Sequence, residues 1–267
     1  MNILDGKVAI VTGAGKPDGI GFATCIKLAE AGAKVVITDL VANDEQQALL
    51  DARVVDIKAL GADAAGCALD VTKLADAQRA AELAVETFGG IDILFNNAGW
   101  IGGLGPCLEQ TDQQFTLSWQ INVMGTLNMC RVVIPLMQQR GGGSIINNSS
   151  VAGISVVPNE GAYTASKHAV VALSKTLAIE HGADKIRVNT VCPGSIMTSA
   201  IKDYLETVRK EGESDEEVYR RLTPEVPMQR AGDPSEIGDA VVFLGSDQSN
   251  YVTGIVFPVH GGMASGL

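Results

Sequence analysis

"KVAIVTGAGKPDGIGFATCIKLAE", residues 7–30, decides how the chain folds. Its first part is a short β-branched run ending at Gly13; from Gly19 and Gly21 onward it reads as a helix, "IGFATCIKLAE". A strand, a glycine turn and a helix make the unit that holds a dinucleotide. Glycines permit the tight bend and close backbone approach to a pyrophosphate, and the helix N–H groups face the anion. Five residues, "AGKPD", separate Gly13 from Gly19. That length leaves a second reading open, a plain structural turn in which Gly15 and Pro17 shape the bend. A Walker-type loop is excluded, because Lys16 is followed by Pro17 and not by Ser or Thr.

The same alternation continues outward. Apolar runs at 7–13, 34–40, 64–71, 91–99, 144–150, 186–194 and 255–259 read as strands. Amphipathic stretches near 19–32, 44–60, 73–88, 111–140, 160–182 and 234–246 read as helices. Such alternation predicts an α/β, Rossmann-like, doubly wound sheet of seven parallel strands with helices on both faces. Ligands then belong beyond the carboxyl ends of the strands. No Pro/Ser-rich linker, charge block or repeat divides the chain, so residues 1–267 read as one domain.

Composition narrows the function. Hydrophobic residues make up 46% and aromatics only 4%, the mix of a sheet interior built from Ala, Val, Ile and Leu. A formal charge of −11 argues against nucleic acid and anionic membranes as partners. No apolar run reaches the roughly 18 residues of a membrane span, and the N-terminus lacks a signal peptide's pattern, so a cytoplasmic protein is expected. The five cysteines are odd in number and widely spaced, which predicts buried free thiols and no metal site.

Asp39 closes the second strand, 18 residues beyond Gly21. A carboxylate there can accept hydrogen bonds from both hydroxyls of an adenosine ribose and would repel a 2′-phosphate. No Arg or Lys follows in "LVANDE" to receive that phosphate, so NAD is favoured over NADP. Capping of a turn is the alternative for Asp39, and equally for Asp70 at the end of the third strand.

"NNSSVAGISVVPNEGAYTASK" (147–167) carries the chemistry. Tyr163 and Lys167 are four apart and share a helix face; Ser150 lies thirteen residues before the tyrosine. A phenol titrates near about 10, too high for a base at neutral pH, and a fixed ammonium nearby lowers it. A serine hydroxyl can hold the oxygen on which charge develops. This is acid–base chemistry on an alcohol/ketone pair. By spacing alone, such a Tyr and Lys also fit an amphipathic surface pair.

With these residues in place, the sequence resembles the short-chain dehydrogenase/reductase family almost end to end. "NNAG" (96–99), "INVMG" (121–125), "SS…YTASK", "RVNTVCPG" (187–194) with Thr198, and "YVTGIVFPVHGG" (251–262) follow its order and spacing. The resemblance implies Tyr163 as general acid/base, Ser150 orienting the substrate oxygen, and Lys167 lowering the tyrosine pKa. It makes Asn122 the holder of a relay water. For the cofactor it implies Gly13, Gly19, Ile20 and Gly21 at the turn, Asp39 at the ribose, and Asp70 with Val71 at the adenine. Asn97, Ala98 and Gly99 would line the cleft, joined by Tyr163, Lys167, Pro193, Gly194, Ile196 and Thr198 near the nicotinamide. The turn resembles the family's Thr-Gly-x-x-x-Gly-x-Gly with two residues inserted, one feature being Lys16, which bears on 2′-phosphate preference. His260 stands where the family usually carries Asp. It would either alter a subunit contact or be tolerated.

The implied activity is hydride transfer between NAD(H) and a secondary alcohol or ketone, a small-molecule substrate. Trp100, Ile101, Ile154 to Val157 and a lid of about 195–227 should form the pocket, which suits a medium-sized substrate of limited charge; a charged one would need Lys202 or Arg209 turned inward. Two alternatives stand: a catalytically silent nucleotide-binding regulator, and an enoyl reductase of related fold. The complete Asn122, Ser150, Tyr163, Lys167 set argues against the first, the four-residue Tyr–Lys spacing and the serine against the second. The resemblance also implies a homotetramer packing through 111–140 and 160–182. The stripe Phe115, Trp119, Val123, Leu127 fits such burial or burial against its own sheet.

Overall fold

A computed structural model describes residues 2–224 and 226–263. The first unit runs as the sequence pattern requires, β1 (Val8–Thr12), α1 (Ile20–Glu30) and β2 (Lys34–Asp39). It continues through α2 (Asp44–Ala59), β3 (Ala64–Ala68), α3 (Leu74–Phe88) and β4 (Ile93–Asn96). A long helical stretch then comprises α4 (Asp112–Ser118), a π-helical turn (Trp119–Met124) and α5 (Gly125–Arg140). After it come β5 (Gly143–Asn148), α6 (Gly161–His181), β6 (Ile186–Pro193), α7 (Ser199–Val208), α8 (Asp215–Leu222), α9 (Pro234–Gly245) and β7 (Val256–Val259).

The strands form one seven-stranded sheet in the order β3-β2-β1-β4-β5-β6-β7, every neighbouring pair parallel. Strand side chains alternate between faces. Val8, Ile10, Val36, Leu94, Ile145 and Val188 therefore join Ala77, Ala81, Met129 and Val133 from α3 and α5. Ala9, Val11, Val35, Ile37, Phe95 and Ile146 join Phe22 and Leu28 of α1 and Ile237 and Leu244 of α9 on the other face. Burying each such Val, Leu or Ile side chain is worth about 1.5–3 kcal/mol. Two cores on one sheet explain why the central strands β1, β2 and β4 are nearly continuous apolar runs.

The chain leaves β1 toward β2 on one side and, after β3, returns to β4 on the other. The crevice between the carboxyl ends of β1 and β4 is the switch point where such sheets take ligands.

Three expectations are refined. The 111–140 helix is not continuous: in the π turn Gly125 N–H reaches back five residues to Gln120 O. The stripe splits there, Phe115 and Trp119 exposed and Val123 buried. Among the cysteines, all free, Cys25, Cys130 and Cys192 are buried, but Cys67 is half-buried and Cys107 exposed. Among the described residues no helix is long and apolar enough to cross a membrane.

Candidate active site

The glycine turn is locked to the loop after β4. Thr12 Oγ1 accepts from Asn97 N–H at 3.0 Å and Ala98 N–H at 2.9 Å, and Asn97 Nδ2 donates to Gly13 O at 2.8 Å. Gly13 has φ +66, and a Cβ there would lie 2.8 Å from Ala98 Cα. A Cβ on Gly21 would run into Gly13 O. These glycines are required by close backbone approach, and the helix N-terminus stays open to an anion. The lengthened part turns outward: Gly19 N–H donates to Lys16 O at 3.2 Å, and Lys16 and Pro17 are exposed. Gly15 is buried instead, its N–H donating to Asp39 Oδ2 at 2.6 Å. It does more than shape a bend.

Asp39 Oδ1 accepts from Leu40 N–H at 2.7 Å. Each carboxylate oxygen retains acceptor capacity, so the residue can still hold two hydroxyls. Asp70 is engaged in its own turn, accepting from Thr72 N–H at 3.0 Å and Thr72 Oγ1 at 2.6 Å and pairing with Lys73 at 3.2 Å. Although burial pushes the other way, these bonds hold its carboxyl below the usual range. Val71 is buried, and its side chain lies where a Cβ on Gly125 of α5 would come within 2.6 Å.

Ser150, Tyr163 and Lys167 come together beyond β5. Ser150 opens a short 3-10 turn, and its Oγ accepts from Ala152 N–H at 3.1 Å. The hydroxyl proton is thus left to donate elsewhere. α6 carries Tyr163 and Lys167 on one face, with Lys167 Nζ 5.5 Å from the Tyr163 ring centroid. Nζ donates to Asn148 O at 2.7 Å. Burial pushes the Tyr163 phenol up to about 12, Ser150 easing it down and the Glu160 charge adding to the rise. Burial pulls Lys167 down to about 8, the nearby Cys192 opposing. Burial is the largest cause of both shifts.

Asn122 sits in the π turn, 1% exposed. Its Oδ1 accepts from Trp100 N–H at 2.8 Å, while Nδ2 donates to Trp100 O at 2.9 Å and Ser166 Oγ at 2.9 Å. Thr126 Oγ1 donates to its carbonyl at 2.8 Å. The side chain therefore clamps the loop after Gly99 to α6.

A cavity of about 560 Å³ joins these groups. Ile20, Asn97, Gly99, Ser150, Tyr163, Lys167, Pro193, Gly194, Ile196 and Thr198 all line it. Gly13, Gly19, Gly21, Asp39, Asp70, Val71, Ala98 and Asn122 lie outside that lining. Trp100, Ile101, Val157, Ile201 and Thr223 border it as expected, whereas Ile154 and Val156 do not and Val151 takes their place. Neither Lys202 nor Arg209 turns inward: Lys202 is exposed, and Arg209 is bonded to Glu206, Asp215 and Glu213 O. The inner edge of α7 and α8 is apolar, with Leu205, Val218 and Tyr219 buried around Ile201. His260 caps its own turn, Nδ1 accepting from Gly262 N–H at 3.2 Å. It also packs where a Cβ on Gly194 would lie 2.8 Å from its own Cβ.

Sequence reading missed Thr12, Asn148 and Ser166 as supports, and Glu160 as a lining residue. All four stand inside or beside motifs quoted for other residues, but their partners are remote in sequence. The groups present fit a dinucleotide: glycines that keep the turn open, Asp39 with free acceptor capacity, and Gly99 beside Lys167.

Comparison with known proteins agrees. A family model described as enoyl-(acyl carrier protein) reductase matches residues 13–264. The 2-keto-3-deoxy-L-fuconate dehydrogenase of Xanthomonas campestris pv. campestris is 37% identical over 265 residues, 98% of this chain and 81% of that protein. NAD+-bound xylitol dehydrogenase superposes with a TM-score of 0.87 at 33% identity, covering 97% of this chain and 99% of that one. L-sorbose reductase of Gluconobacter frateurii, in complex with NADPH and L-sorbose, superposes with a TM-score of 0.90 at 32% identity over 100% of both chains.

Proposed function

The chain belongs to the short-chain dehydrogenase/reductase family, and from that premise we propose that it transfers a hydride between NAD(H) and a secondary alcohol or ketone of limited charge. The observation that carries this reading is the convergence of Ser150, Tyr163 and Lys167 on one cavity. Among the solved neighbours, xylitol dehydrogenase was captured with NAD+ and L-sorbose reductase with NADPH. Asp39, tied to Gly15 at 2.6 Å, supports NAD for this chain. A carboxylate fixed there accepts ribose hydroxyls and repels a 2′-phosphate, while Lys16 points into solvent.

Gly13, Gly19, Ile20 and Gly21 would hold the pyrophosphate, Asp39 the adenosine ribose, and Val71 with Asp70 the adenine edge. Ala98 would join Asn97 and Gly99 as the cleft wall; Pro193, Gly194, Ile196 and Thr198 would face the nicotinamide. When bound, the nicotinamide supplies or takes up the hydride at the carbonyl carbon. Tyr163 gives its phenolic proton to the carbonyl oxygen during reduction and takes one from the alcohol during oxidation. Ser150 donates its free hydroxyl proton to the same oxygen and orients it. Lys167 presents its ammonium to the nicotinamide ribose and its positive charge to the phenolate. Asn122 acts as a positioning residue through Trp100 and Ser166. The segment 195–227 serves as the lid.

Apolar side chains exposed on α4, the π turn and α6 support a homotetramer: Phe115, Trp119 and Ile179. An apolar groove between α3 and α5, lined by Val85, Val132 and Leu136, supports the same reading.

The test is absorbance at 340 nm with NAD+ and, separately, NADP+ across secondary, cyclic, steroid and sugar alcohols. Reduction of NAD+ with clear preference over NADP+ is expected; NADP+ preference would overturn the cofactor assignment. The description of the matching family model favours a second reading, enoyl reduction. NADH-driven reduction of an enoyl thioester with no turnover of ketones would establish it instead.

A further inference from the structure

Glu160 is the one acid among the described residues lining the catalytic cavity. It stands at the N-terminus of α6, one turn ahead of Tyr163, near enough that its charge acts on the phenol. Its backbone is held from several sides. Glu160 N–H donates to Val157 O at 3.3 Å, its carbonyl accepts from Thr164 N–H at 2.8 Å, and it bridges to Gly105. Gln110 staples the neighbourhood, donating to Asn159 O at 3.0 Å and accepting from Ala162 N–H at 2.9 Å. The carboxylate itself has no hydrogen-bond or ion-pair partner among the described residues. Its oxygens therefore keep their full acceptor capacity for a molecule entering the cavity.

We propose that Glu160 selects the substrate, its carboxylate accepting a hydrogen bond from a second hydroxyl, so that the cavity prefers diols and hydroxyketones to simple alcohols and rejects carboxylates. The inference rests on the reading of this cleft as a site for alcohol and ketone chemistry, and it names the substrate class. The remaining walls are mostly apolar: Trp100, Ile101, Val151, Val157, Ile201 and Met263. They accept a carbon skeleton and leave its polar end to Glu160. The one base in the lining, Lys167, donates to Asn148 O and is assigned to the nicotinamide ribose and the phenolate, so a substrate carboxylate facing Glu160 has no cation of its own to pair with. A substrate cation would share the cavity with that buried ammonium, whereas a hydroxyl meets no such repulsion. Burial also holds the Glu160 carboxyl above its usual range, consistent with a group that lacks a charge partner.

A site built to hydrogen-bond a hydroxyl discriminates strongly against the analogue lacking it. The experiment compares kcat/KM for cyclohexanol, cyclohexane-1,2-diol, cyclohexane-1,3-diol, 2-aminocyclohexanol and 3-hydroxycyclohexane-1-carboxylate with NAD+. Wild type, Glu160→Leu and Glu160→Gln are measured side by side, with thermal unfolding as the check on folding. Any influence of Glu160 on Tyr163 is common to all substrates, so the ratio between substrates isolates recognition. The wild type should prefer one diol over cyclohexanol by roughly tenfold or more. Glu160→Leu should bring that ratio near one. Glu160→Gln, which keeps an acceptor but no charge, should retain part of it and improve turnover of the carboxylate roughly tenfold. Should the leucine variant not fold, the glutamine variant carries the test alone through the carboxylate. An unchanged diol ratio in Glu160→Leu, or a wild-type preference for the amino alcohol, overturns the proposal while leaving the dehydrogenase reading intact. Absence of turnover of alcohols with NAD+ or NADP+, and of ketones with NADH or NADPH, overturns that reading and this one with it.

Discussion

Gly15 and Asp39 are joined by a 2.6 Å hydrogen bond from the glycine N–H to the carboxylate, which ties the lengthened turn after β1 to the end of β2. The two extra residues are absorbed on the solvent side, where Lys16 is exposed. The turn thus keeps an acid, not a base, against the expected ribose position. Asp39→Ala should raise the NADP+/NAD+ ratio of kcat/KM by roughly tenfold or more, through lost hydroxyl contacts and lost repulsion. Measuring both cofactors at saturating substrate checks it. An unchanged ratio would assign the preference to the turn itself.

Asn122 is the second structural pivot. Replacing it by Ala strands the Trp100 N–H and the Trp100 carbonyl and removes the donor to Ser166 Oγ, which keeps its own bond to Tyr163 O. The variant should unfold at lower temperature, losing about 3 kcal/mol from the unmade buried hydrogen bonds. Trp100 borders the cavity, so KM should rise as well. A variant as stable as the parent, with unchanged KM, would remove Asn122 from this positioning role.

The high position of the Tyr163 phenol, pushed up to about 12, fixes the sign of the pH dependence. Below that value the group is protonated and ready to donate, so ketone reduction should run at neutral pH. Oxidation needs the phenolate, whose population grows about tenfold per pH unit below the pKa. The oxidation rate should climb between about pH 6 and pH 10 while reduction does not. Oxidation indifferent to pH would contradict Tyr163 as the base.

Lys167 offers a stability test. Its burial lowers it from 10.5 to about 8, so folding with the ammonium inside is disfavoured at every pH below the folded value. That disadvantage is relieved as pH rises from about 8 to 10.5, since the unfolded chain then binds more protons. The full difference amounts to on the order of 3 kcal/mol, less about 1 kcal/mol for the bond to Asn148 O. Lys167→Met should therefore be more stable than the parent by roughly 2 kcal/mol near neutral pH, with the advantage fading in alkali and turnover lost. Thermal unfolding across pH decides it; a less stable variant at neutral pH would contradict the buried-charge argument.

Much of this was legible in the chain because both faces of the sheet are covered. Apolar runs such as "VAIV" (8–11) and "VVI" (35–37) mark strands buried on both faces, and the strand ends then place Asp39, Ser150 and Gly194 at one edge. Tyr163 and Lys167 were readable from helix periodicity, which survives folding unchanged. What was not legible depends on partners distant in sequence. The π turn exists around a side chain bonded to Trp100 and Ser166, 22 and 44 residues away. Whether Lys167 acts on Tyr163 depends on burial, and burial is a property of the assembled cleft. That Thr72 and Lys73 hold the Asp70 carboxylate in place was likewise not legible from its position at the end of the third strand. Glu160 sits in plain view within "NEGAY", but only the fold brings it to the cavity wall.

The most direct measurement is turnover by Tyr163→Phe at 340 nm, paired with an NADH titration followed by fluorescence. The ring remains and only the hydroxyl goes, so NADH should bind within a few-fold of the parent while turnover falls by about 10²–10⁴. Turnover near the parental rate would mean that another group moves the proton, and the assignment of this cleft's chemistry would fail.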